Sequence, residues 1–259
     1  MAKFIATFFL MLVAYAPVFS QTLAYVKNSS FDAGEVLRYK LKYGFITAAE
    51  ATLQVFDSDI KFGGKPAYHL VALGRTYSAF DFFFKVRNRY ESYIDKTNYT
   101  PFMYAEDIKE DNYRRVDKVK FNQTERKITG NEGTFTSPVS QTFDMVSAYY
   151  FARNLDLTGI KPGDQLTLTY FLKDEVTPLT IEYIGKEVIK TAKGKIRCLK
   201  FSPSISPGRI FKKNSQLFLW ITDDENRIPV KAQAEVIVGN VTMEIADATG
   251  LKRPLQIVK

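Results

Sequence analysis

Val36-Leu37-Arg38-Tyr39-Lys40-Leu41-Lys42-Tyr43 and, after a connection holding Gly44, Ala49-Glu50-Ala51-Thr52-Leu53-Gln54-Val55 decide the fold. In the first run Leu37, Tyr39, Leu41 and Tyr43 share one face, and Arg38, Lys40 and Lys42 share the other. Successive side chains of an extended chain point to opposite sides, so this period-two alternation marks a half-buried β-strand. The second run repeats the pattern, with the small Ala49 and Ala51 inward beside Leu53 and Val55, and predicts a strand paired with the first.

Further along, Gly63-Gly64 and Pro66 mark a turn, and residues 68–73 are apolar on both faces, as in a central strand covered on both sides. Residues 82–94 place Phe82, Phe84, Val86, Asn88, Tyr90, Ser92 and Ile94 on one face and Lys85, Arg87, Arg89 and Glu91 on the other. That alternation predicts one long strand, bent or curled round a barrel. Residues 114–121 and 126–129 are strand-like, and 130–138 reads as a loop. The single expected helix spans 143–154, with Thr142 as N-cap and Asp144 in the first turn, and covers an open end or face of the sheet.

After the Pro-Gly turn at Lys161-Pro162-Gly163-Asp164, alternation resumes with Leu166, Leu168 and Tyr170. Further strands are expected over 179–183, 187–191, 196–201, 217–222, 227–238 and 241–247. Asp223-Asp224-Glu225-Asn226 and Gly239-Asn240 read as hairpin turns, the latter a two-residue loop between Val238 and Val241. No linker, composition shift or fixed-period repeat divides the chain. The expected fold is all-β and mainly antiparallel: a long meander folded or rolled into an incomplete barrel, with one short helix, as a single domain over 21–259.

Residues 1–20 read as a secretory signal. Lys3 starts it, residues 4–14 form its apolar core, Pro17 breaks that core, and Val18 and Ser20 precede a cleavage site before Gln21. The apolar stretch is shorter than the ~20 residues a membrane span needs, and no later stretch is long enough. The only cysteine, Cys198, lies far from this segment, so neither a lipid anchor nor an intramolecular disulfide is expected. The protein is expected to be exported, soluble, and periplasmic or secreted.

A net charge of +8 suggests anionic neighbours or a merely well-solvated surface. Export directs the first reading away from nucleic acid and toward phospholipid head groups, lipopolysaccharide or acidic polysaccharide.

The landmarks Phe31-x-x-Gly34-Glu35-x-Leu37-x-Tyr39, Tyr43-Gly44 and Ala49-x-Ala51-x-Leu53 resemble the start of the family catalogued as domain of unknown function 3108. The segment 81–95, ending Glu91-Ser92-x-Ile94-Asp95, is similar to that family's aromatic, basic segment. Trp220-Ile221-Thr222-Asp223-Asp224, Arg227-Ile228-Pro229-Val230 and Val238-Gly239-Asn240-Val241 resemble its C-terminal hairpins. The resemblance implies an exported bacterial envelope protein with a long meander sheet, and it supplies no activity and no catalytic residue.

The chemistry of common hydrolases is poorly provided for. The single histidine, His69, sits in an apolar strand and reads as a packed core residue, and no Gly-x-Ser-x-Gly elbow occurs. One His and one Cys are too few for a conventional zinc site, and Asp223-Asp224-Glu225-Asn226 lacks the spacing of a calcium loop. No catalytic residue, metal or cofactor is therefore expected. A carbohydrate-active hydrolase would need two facing carboxylates, for which Glu35, Glu91 and Asp223 are candidates.

A non-enzymatic binding role fits better. Ala49 and Ala51 leave room, Phe82, Phe84 and Trp220 can line a site for a lipid or glycan, and Arg87, Arg89 and Glu91 can hold its polar head. Strand core and a solvated charge ladder explain the same residues. A scaffold for envelope proteins is the remaining alternative, and it predicts an exposed apolar patch or an open sheet edge.

Overall fold

The two alternating runs pair as antiparallel strands, β1 (Val36–Tyr43) and β2 (Ile46–Asp57), with Leu37 opposite Leu53 and Tyr39 opposite Ala51. The computed structural model describes Tyr25 and residues 30–204, 215–236 and 239–258, so the expected leader over 1–20 lies outside the described residues. The N-terminal half continues through β3 (Ala67–Thr76), β4 (Arg87–Asp95), β5 (Pro101–Glu110), β6 (Tyr113–Asn122), β7 (Lys127–Gly130) and β8 (Gly133–Thr136). A two-residue strand β9 (Thr142–Phe143) precedes the helix α1 (Met145–Ala152). The C-terminal half comprises β10 (Gln165–Leu172), β11 (Glu175–Thr191), β12 (Gly194–Pro203), β13 (Leu217–Thr222), β14 (Pro229–Glu235) and β15 (Asn240–Thr249).

All fifteen strands form one sheet, in the order β8 to β1 and then β15 down to β9. It is two meanders joined where the first strand meets the last, Val36 opposite Thr249 and Tyr43 opposite Val241. A side chain at Gly250 would run into the Gly34 carbonyl, so a glycine lets these two chain segments close on each other. Among the described residues only β9 and β10 pair in parallel.

A sheet this wide cannot stay open and flat, because strand twist accumulates and sheets beyond roughly ten strands curl or split. Here the ends curl toward each other. Phe171 on β10 packs against Phe135 on β8 and Phe121 on β6, with centroids 5.1 and 6.4 Å away, and Arg115 Nη2 donates to Asp174 Oδ2 at 3.0 Å. The ladder itself does not close: β8 pairs with β7 alone. The result is the rolled, incompletely closed antiparallel sheet that the sequence predicts.

Helix α1 packs on the inner face against β3, β4, β9 and β10. Its Val146, Ala148, Tyr150 and Phe151 join Phe31, Val55, Leu70, Ile94, Tyr104, Leu168 and Phe171 in the larger core. A second core gathers Leu37, Tyr39, Ile196, Cys198, Trp220, Val230 and Ile245, and a third, smaller one Tyr183, Leu199 and Phe201. Burial pushes the Cys198 thiol up to about 12.

Several expectations are corrected. The strand expected over 82–94 begins only at Arg87, and Phe82 and Phe84 lie in the turn before it. β5 was not foreseen, because its inner face carries a buried Glu106 between Tyr104 and Ile108, which blurs the alternation. The loop expected over 130–138 contains β8. The helix is capped by Asp144, whose Oδ1 accepts from the Val146 and Ser147 amides, both at 2.9 Å, while Thr142 belongs to β9. The strands expected over 179–183 and 187–191 are one strand, β11, with an irregularity between Tyr183 and Gly185. Finally, Glu235 pairs with Asn240, so four residues rather than two connect β14 to β15; Val238 falls outside the described residues.

Candidate functional site

The six residues expected to bind a ligand lie in three places. Phe82 and Phe84 belong to the β3–β4 connection, and Arg87 opens β4 directly after it. Arg89 and Glu91 follow on the outer face of β4, and Trp220 lies on β13 in the other half of the sheet.

In the β3–β4 connection the chain makes two successive tight turns. The amides of Phe80 and Asp81 donate to the Tyr77 carbonyl, and those of Phe83 and Phe84 to the Phe80 carbonyl. Asp81 fixes this loop to the sheet. Its Oδ2 accepts from Arg87 Nη2 at 2.6 Å, and its Oδ1 accepts from Thr76 Oγ1 at 2.6 Å and Arg87 Nη1 at 3.1 Å. The hydrogen bonds from Arg87, and then from Thr76, hold the Asp81 carboxyl below its ordinary pKa.

The ordered loop points its aromatic rings outward: Phe82 is 90% exposed, Phe83 74% and Phe84 44%. The β1–β2 hairpin next to it ends in Gly44, at φ 58, and Phe45, which is 94% exposed; Tyr43 and Ile46 beside it are exposed as well. The two tips share one rim of the rolled sheet, where the Tyr77 amide donates to the Ala48 carbonyl at 3.0 Å.

On the outer face of β4, Glu91 takes a hydrogen bond from Arg89 Nε at 2.6 Å and meets His69 Nε2 at 2.5 Å. Burial alone would raise the Glu91 carboxyl, but the bonds from Arg89 and His69 outweigh it and leave the pKa lowered. His69 is not a core residue: its ring stacks on Tyr93 at 4.3 Å on the outer face, and a ladder continues through Phe62 to Phe102. Trp220 is enclosed instead of lining an opening. Its Nε1 donates to Glu187 Oε2 at 2.6 Å, and Lys200 and Lys231 cover its ring at 5.0 and 4.9 Å.

The carboxylates named as hydrolase candidates each have a cationic partner. Glu35 is fully buried against Arg153, Glu91 is held by Arg89, and Asp223 accepts from Lys186 Nζ at 2.8 Å. At the opposite rim an open groove of about 580 Å3 lies between the β13–β14 turn and the tail at Arg253 and Leu255. Its Asp224 is spent on its own turn, with Oδ1 accepting from Thr222 Oγ1 and the Asn226 amide.

Sequence reasoning missed the buried charge pair at the centre of the molecule. Arg153, just after α1, donates from Nη1 to Glu35 Oε1 at 2.6 Å and from Nη2 to Glu35 Oε2 at 2.8 Å. It also donates from Nη2 to the Asn226 carbonyl at 2.9 Å, and its guanidinium lies 5.3 Å from the Phe31 and Tyr150 rings. Burial alone would lower the Arg153 pKa; Glu35 overcomes that and raises it. The available signal was Glu35 beside Gly34 and an arginine ending an apolar helix, neither of which predicts that the two meet.

Fold and surface together define a class: a rolled antiparallel meander, packed inside by one helix, with an aromatic rim at one end. The chain belongs to the family described as "Protein of unknown function (DUF3108)", whose model matches residues 38–246. It is similar in structure to a β-barrel-like protein of the domain of unknown function DUF1849 from Brucella abortus, at 9% identity and a TM-score of 0.52, over 87% of this chain and 98% of that one. Weaker likenesses, each at a TM-score of 0.39 over 88% of this chain and 100% of the other, are to a candidate exported protein with a YmcC-like fold from Bacteroides fragilis and a candidate lipoprotein from Parabacteroides distasonis, at 10% and 12% identity. No curated protein matches. Among the described residues no helix is long and apolar enough to cross a membrane.

Proposed function

We propose that the protein is an exported, non-enzymatic binding protein of the cell envelope that meets an amphipathic envelope molecule at its aromatic rim. One observation carries this reading: Phe45, Phe82 and Phe83 stand almost free of the protein on turns that are themselves hydrogen-bonded and anchored. Leaving a phenylalanine in water forgoes about 2 kcal/mol of burial. Scattered exposed apolar residues need no explanation, but several on adjacent, ordered turns mark a contact surface; the same rim, together with the unpaired edge of β8, is also what the scaffold alternative expects. The charge of +8, which becomes +7 once residues 1–20 and their Lys3 are removed, suits an anionic head group on the molecule bound, and the sequence of residues 1–20 supports export.

Native mass spectrometry of the protein purified without detergent from its own periplasm, with lipid and glycan extraction of the same sample, tests this. A stoichiometric amphipathic molecule, lost in Phe82→Ser/Phe83→Ser, is the expected result. A clean apo mass together with no binding to envelope extracts would overturn it.

A further inference from the structure

We infer that the partner of the aromatic rim is the surface of a bilayer containing anionic lipid, on which the protein stands end-on. This rests on the binding reading above and narrows it from a single molecule to an assembled surface.

The shape of the rim points there. Pairing of β2 with β3 ends at Ala49 opposite Thr76, four residues short of Phe45, and pairing of β1 with β15 ends at Tyr43 opposite Val241, so Phe45 stands at the hairpin tip beyond both ladders. The Phe80–Phe84 turns project from the neighbouring connection. A rigid protein partner would need a matching hollow for each convex tip, whereas a fluid interface closes around any apolar protrusion. Amphipathic surfaces that lie in such an interface sink about 5–10 Å below the head groups.

The backbone of the tips is prepared for that environment. Amides that lose water must be satisfied internally. Those of Phe80, Asp81, Phe83 and Phe84 donate within the loop, the Val86 amide donates to Thr76 Oγ1, and the Gly44 amide to the Asn240 carbonyl.

The charges agree as well. Three carboxylates near the tips have basic partners, Asp81 with Arg87, Glu50 with Arg75 and Glu244 with Lys42, whereas Glu110, bridged to Val86, accepts from the neutral Asn88 Nδ2. Repulsion from anionic head groups is thereby reduced, while Lys85 follows Phe84 directly and the chain as a whole is positive. Asp81 acts as a positioning residue, since it holds the loop that carries Phe82 and Phe83 outward.

Flotation of the mature protein, beginning at Gln21, with phosphatidylcholine vesicles, with and without phosphatidylglycerol, tests the inference. The protein is expected to float with the anionic vesicles, less with the neutral ones, and less at raised salt. Phe45→Ser/Phe82→Ser/Phe83→Ser should cut partitioning by about tenfold or more for each ring removed, with unchanged thermal stability. Val188→Ser, a 56% exposed site toward the other end of the long strand β11, should float as wild type does. Wild type remaining in the buffer with both vesicle types, or a triple variant floating as well as wild type, overturns the inference. A protein that carries extracted lipid yet does not float loses the bilayer inference and keeps the binding reading; one that neither carries lipid nor floats loses both.

Discussion

Arg153 ties together three distant parts of the chain, because its guanidinium joins Glu35 at the start of β1, the end of α1 and the Asn226 carbonyl in the β13–β14 turn. A buried pair of this kind contributes little net stability over an apolar replacement, but breaking it strands a charge in the core. Arg153→Met should therefore cost about 3–5 kcal/mol in urea unfolding, and Glu35→Leu combined with Arg153→Met should recover part of that loss. A single variant as stable as wild type, or a double variant no better than the single, would contradict this. The pair was illegible in sequence because Glu35 and Arg153 lie 118 positions apart and neither breaks a local pattern. The exposed rings were misplaced for a related reason. A phenylalanine is buried by default, and Phe82-x-Phe84-x-Val86 looks like the start of a strand; what turns it outward is the contact of Asp81 with Arg87, which leaves no periodic trace.

Among the elements, β1 and β2 were legible because one face of each is packed and the other is charged. β5 was not, since its inner face mixes Tyr104 and Ile108 with Glu106, held by Arg115 Nε at 2.8 Å and the Tyr104 hydroxyl. The helix was legible in position but not in its cap. Asp144 closes the N-terminus by accepting two backbone amides and ties it to β4 through Ser92 Oγ at 2.7 Å. Burial pushes its carboxyl above the ordinary range. Asp144→Ala should then destabilise the protein by about 1–2 kcal/mol, while Asp144→Asn, which keeps an acceptor without the charge, should stay close to wild type. Thermal unfolding decides between these, and an alanine variant equal to wild type would show that the cap carries no weight.

At the scale of the whole molecule, the meander order follows from short hairpins that connect neighbouring strands, and this much the sequence makes readable. How the roll ends is not readable. Its two far edges meet through Phe171 with Phe121 and Phe135, and through Arg115 with Asp174, contacts between distant strands that depend on accumulated twist. The antiparallel meander itself places the β1–β2 and β3–β4 tips side by side at one rim, with the 58–66 and 96–100 connections at the other end. Hydrogen–deuterium exchange of the intact protein on anionic vesicles tests most directly whether the rim of these two tips is the one used. New protection confined to residues 43–46 and 77–86, with 58–66 and 96–100 unchanged, is the predicted result; protection at the opposite rim, or binding that leaves both tips exchanging as in solution, would contradict it.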